Sequence, residues 1–149
     1  MMLSEDITKR EKIKKKLSKL HEQSTSWMSD LEFMKDEQIF LEHLLSTHFL
    51  DLSKSKLYEP TRKLIKKLKD VEKMGSDLFD KIQLHNKHLS TLIESSKYKG
   101  KKGFKKEHRH IEKDFETYEL NFKYVKKKIF NMIKDIMKNH KQKLLIKKE

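Results

Sequence analysis

The chain has no cysteine, a single proline (Pro60) and three glycines. Without a thiol, a disulfide framework and thiolate chemistry are excluded. With so few breakers, the backbone is free to run in long helices. Long apolar runs are also missing, so no segment reads as a membrane-spanning helix. The opening MMLSEDITKR lacks the apolar stretch of a secretory signal, and the expected location is cytoplasmic. There is no Gly-rich nucleotide loop and no nucleophile elbow. The expectation is therefore a non-enzymatic protein without a cofactor.

Arginine is scarce too. Only Arg10, Arg62 and Arg109 are arginines among 36 basic residues, in a chain of formal net charge +13. Lysine offers a point charge rather than the fork that reads bases. Loose attraction to a polyanion, either nucleic acid or an anionic membrane surface, is the expectation that follows.

What remains is a charged, apolar-sparse sequence of 149 residues, 40% charged and 35% hydrophobic. That balance predicts a single domain over 1–149 with a narrow core between long helices. Most of the chain is lysine-rich, but residues 27–52 hold Asp30, Glu32, Asp36, Glu37, Glu42 and Asp51 against Lys35 alone. Steps of three and four trace a seam through this stretch: Ile13, Leu17, Leu20, Ser24, Trp27, Leu31, Met34, Gln38, Leu41, Leu45, His48 and Leu52. A second seam runs Thr61, Leu64, Leu68, Val71, Gly75, Leu78, Ile82, His85, Leu89 and Leu92. A third runs Phe104, His108, Ile111, Phe115, Tyr118, Phe122, Val125, Ile129, Met132, Ile136 and Asn139.

The predicted helices cover about 5–53, 58–96 and 104–146, with breaks at Ser53–Pro60 and at the polar SSKYKGKKG. Short connections between helices of similar length predict an all-α fold: an elongated antiparallel up-down-up three-helix bundle with coiled-coil-like heptad seams. Placing the turns near residues 55 and 100 gives a rough register. It sets the acidic stretch beside Lys63, Lys66, Lys67 and Lys69 and level with Lys123, Lys126, Lys127 and Lys128. It also groups the polar seam residues, Ser24 with His85 and Tyr118, His48 with Thr61 and Asn139, and Gln38 with Gly75.

Three features are candidates for function. The first is apolar residues outside the seams: Phe33, Ile39 and Phe40 on the first helix, with Phe130, Ile133 and Met137 on the third. Leftover aromatic and Met residues at helical spacing mark an interface, here for a homodimer or a partner protein's helix, in an interaction or scaffolding role. The second is a basic tip at residues 9–19 and 97–109, an anion- or nucleic-acid-binding module with Lys14, Lys15, Lys16, Lys99, Lys101, Lys102, Lys105 and Arg109 as its contacts. The third is a histidine cluster, His21, His85 and His88 with Glu112, for a metal- or pH-responsive bundle. Spacing gives a metal little support, because Glu107 and His110 form a lone Glu-x-x-His where di-iron bundles need two such motifs and further glutamates.

Overall fold

The computed structural model describes residues 2–54, 56–95 and 103–148. Among them every element is helical: α1 (Met2–Thr47), α2 (Phe49–Lys54), α3 (Tyr58–Glu94) and α4 (Phe104–Lys148). The chain is all-α over these residues. The first predicted helix is broken at His48, yet i to i−4 bonding continues through the break. The His48 amide donates to the Leu44 carbonyl at 3.1 Å, and the Leu52 amide to that of His48 at 3.0 Å. Pro60 lies in the first turn of α3, where its missing N–H costs no helical bond. Thr61 follows it, with both its amide (2.9 Å) and its hydroxyl (2.5 Å) donating to the Leu57 carbonyl.

Burial follows the seams closely. All ten positions of the α3 seam are buried, and so is the α4 seam from His108 to Ile136. On α1 the buried positions begin at Leu17, while Ile13 stays 38% exposed. Ile133 is buried off the seam and departs from the sequence reading, which left it for an interface. Met132, Ile133 and Ile136 are all buried, so α4 turns a wider apolar face inward there than a heptad stripe provides.

The chain divides into two compact units. One combines Met1–Phe33 with Gly75–Glu116, the other Met34–Met74 with Thr117–Glu149. In the first unit, Leu17, Leu89 and Leu92 are buried together, with Leu20, Ile93 and Phe104 packed against them. The Trp27 ring stacks on Phe115 (centroids 5.9 Å apart) and on the imidazole of His108 (4.7 Å). In the second unit, Tyr118 and Phe122 stack at 6.2 Å, and Leu41, Leu52, Leu68 and Ile129 are fully buried.

Several polar seam residues find partners other than those the rough register assigns, while the buried Ser24 hydroxyl makes no hydrogen bond. His85 bonds His108 within the first unit, and Tyr118 bonds Gln38 within the second. Thr61 reaches the Met132 sulfur at 3.9 Å, while Asn139 is exposed. A turn centred on residue 100 would set His85 about seven residues further along α4 than His108, a slip of one heptad. Such a slip leaves every apolar seam residue on the seam, so periodicity does not detect it.

Candidate functional site

The expected interface residues are placed as follows. Ile39 (55% exposed), Phe40 (53%), Phe130 (40%) and Met137 (58%) are all solvent-facing in the second unit. Phe33 is exposed as well and belongs to the first unit, while Ile133 is buried. The structure brings Phe40 of α1 and Phe130 of α4 together, ring centroids 6.5 Å apart. Beyond them, Met137 lines an open groove of about 670 Å³ with Thr47, His48, Asp51, Lys134 and Ile136. Asp36 is exposed one turn before Phe40, and Lys127 and Lys134 are exposed about one turn to either side of Phe130.

Among the lysines expected opposite the acidic stretch, Lys126 forms an ion pair with Glu37. Lys67 and Lys128 instead lie over the face of Tyr124, at 5.0 and 5.6 Å from its centroid. The Glu72 carboxyl faces that of Glu42. Burial, then the hydrogen bond and the like charge of Glu42, push Glu72 up to about 7, with Lys69 opposing. Glu42 and Lys69 also edge a cleft of about 380 Å³ formed by Leu45, Ser46, Phe49, Ile65 and Leu68.

The histidines form a chain that sequence spacing did not reveal. His85 Nε2 and His108 Nδ1 lie 2.8 Å apart, and His108 Nε2 lies 2.8 Å from the Gln23 side-chain oxygen. His85 Nδ1 is buried without a hydrogen bond and lies 3.4 Å from a Glu107 carboxylate oxygen. Turning the Gln23 amide about reverses every donor in this chain. The Gln23 amino group then donates to His108, His108 donates to His85, and His85 Nδ1–H points at Glu107. In that sense the amide and the two imidazoles are matched donor to acceptor with both rings neutral, and the unbonded His85 Nδ1–H lies 3.4 Å from the Glu107 carboxylate. Burial lowers both basicities. His108 falls to about 4, burial acting first and the neighbouring His85 second, while the nearby Glu107 partly offsets the lowering at His85.

The expected grouping of His21, His85, His88 and Glu112 does not assemble. His21 bonds Ser90 at 3.0 Å and His88 lies 3.6 Å from Glu107. Among the described residues, no three His, Asp or Glu side chains are gathered to hold a metal. The signal that would have found the observed chain was present. His85 and His108 are both seam positions, and buried imidazoles need partners.

At the basic tip, Lys99, Lys101 and Lys102 lie outside the described residues. Lys14, Lys15, Lys16, Lys105 and Arg109 are all exposed. The Lys105 ammonium beside Lys16, with Arg109 further off, holds Lys16 below the ordinary lysine range. None of Lys16, Lys105 and Arg109 makes an ion pair with a described residue. No helix of the described chain is long and apolar enough to cross a membrane. Comparison with protein-family models, with curated proteins and with solved structures finds no match to this chain.

Proposed function

We propose that this chain is a non-enzymatic interaction protein that self-associates through the Phe40–Phe130 face. The architecture we infer for it is an elongated antiparallel up-down-up three-helix bundle with coiled-coil-like seams. The spacing of the buried residues on α1, α3 and α4 supports that architecture. The observation that carries the function is the half-exposed aromatic pair, 6.5 Å between centroids, on a unit that has its own buried core in Leu41, Leu52, Leu68 and Ile129. Each phenylalanine withdrawn fully from water contributes on the order of 1.5–3 kcal/mol, less the part already covered.

The occupant is a second copy of this chain, because the flanking charges complement themselves. Asp36 beside Phe40 is acidic, and Lys127 and Lys134 beside Phe130 are basic. A two-fold axis sets α1 of one copy against α4 of the other and brings these unlike charges together.

The test is solution mass by light scattering at low and high salt. A dimer that persists in high salt is expected, because apolar contact is not screened. Phe40→Asp is expected to give a monomer of unchanged helicity, since Phe40 is 53% exposed and its loss leaves no core cavity. A wild-type monomer at all concentrations would overturn the proposal.

A further inference from the structure

At positions flanking a buried seam, helices ordinarily pair unlike charges across the contact. The first unit does the reverse at one place. Leu17 and Leu20 of α1 pack in one cluster with Phe104 of α4. Their neighbours Lys16 and Lys105 therefore come together at the edge of that contact, and Arg109 follows one turn along α4. Two lysines elsewhere do meet carboxylates across a helix contact, Lys81 with Asp114 at 3.7 Å and Lys126 with Glu37. Here three exposed cations crowd one another with none, a small like-charge repulsion that a bridging anion would relieve.

We infer that this face of the first unit is a phosphate-backbone site for nucleic acid, with Lys16, Lys105 and Arg109 at its centre. Lys9, Lys12, Lys16 and Lys19 are all exposed and follow at steps of three and four along α1. Successive members are about one helical turn, roughly 5.4 Å, apart. The row is long enough for several phosphates, whereas one inorganic anion would engage only its centre. Binding is insensitive to sequence, because lysines dominate the site and Phe104 is committed to the core rather than free to stack on bases. A bilayer is a poorer fit. A membrane-surface helix buries its apolar face among lipid chains, and here that face, Leu17 and Leu20, is occupied inside the unit.

The experiment titrates full-length protein into a labelled random-sequence duplex and its single strand between about 50 and 200 mM salt. Parallel sedimentation uses phosphatidylcholine vesicles with and without phosphatidylserine. The Lys16→Ala/Lys105→Ala/Arg109→Ala variant is compared with Lys66→Ala/Lys73→Ala/Lys123→Ala, which removes three exposed lysines from the second unit and gives the same net charge. Wild type is expected to bind nucleic acid with a steep salt dependence. The first variant is expected to lose roughly 2–3 from the slope of log affinity against log salt, at about 0.9 per phosphate contact, while the second keeps most of the slope. The first variant is also expected to melt no lower than wild type, because like charges have been separated. Equal weakening in both variants would reduce the effect to net charge and overturn the site. Binding to anionic vesicles alone, or no binding at the lowest salt, would overturn the assignment to nucleic acid.

Discussion

Gln38 and Tyr118 meet inside the second unit. The glutamine Nε2 donates to the phenol oxygen at 2.5 Å, and burial pushes the Tyr118 hydroxyl up to about 12. The phenol is therefore a neutral partner across the physiological range. Tyr118→Phe leaves the glutamine amide buried with a donor unpaired. The expected cost is about 1–3 kcal/mol in chemical denaturation, whereas Gln38→Leu combined with Tyr118→Phe is expected to recover much of it. A double variant no more stable than the single would show that the bond contributes little. Both residues were legible as seam positions, but their pairing was not. Which polar seam residue meets which depends on register, and the sequence period leaves register free by whole heptads.

At the scale of elements, α1 and α3 meet in the second unit with two carboxyls together. A proton held by Glu72 up to about pH 7, against an ordinary value of 4.5, relieves that juxtaposition. Because the folded state holds the proton more tightly than the unfolded chain, this contribution is complete below about 4.5 and is lost as pH rises through about 7. Glu72→Gln keeps the neutral form at every pH. It is expected to raise the thermal midpoint above pH 7, by a few tenths to about 1 kcal/mol given the partial exposure, and to have little effect near pH 4. An equal effect at both pH values would separate the stabilisation from the carboxyl's titration. Lys69, the cation acting on this pair, was among the lysines expected near the acidic stretch. The like-charge pair itself was not foreseen, because reading charge blocks along the chain does not say which two side chains share a contact.

Across the whole molecule, pH acts in the opposite sense through the first unit. His85 and His108 are buried neutral, at 0% and 4% exposure, with Glu107 and His88 facing the first and Gln23 and Trp27 the second. A folded-state value near 4 for His108, below the unfolded value of 6.5, means the unfolded chain binds protons first. The stabilisation is complete above about 6.5 and is lost as pH falls toward about 4. With the opposing Glu72 carboxyl removed as Glu72→Gln, urea denaturation is expected to show roughly 2 kcal/mol more stability at pH 8 than at pH 5, and adding His85→Leu/His108→Leu is expected to remove most of that difference. A Glu72→Gln protein equally stable at both pH values would rule out neutral burial of the pair.

The amino-acid sequence by itself determined the all-helical class and the seams from which the buried residues are drawn, although the seam positions Ile13 and Asn139 stay exposed. Helix period and breaker scarcity act locally, and every described buried side chain except Ile133 sits on a three-and-four spacing visible in the chain. Only the tertiary structure decided the register within each unit, and with it the His85–His108 and Gln38–Tyr118 pairs, the Phe40–Phe130 contact and the crowding of Lys16 against Lys105. The physical reason is one of degeneracy. Sliding one helix past another by seven residues conserves apolar burial almost unchanged, so the choice falls to a few polar and charged groups whose partners lie tens of residues away in the chain.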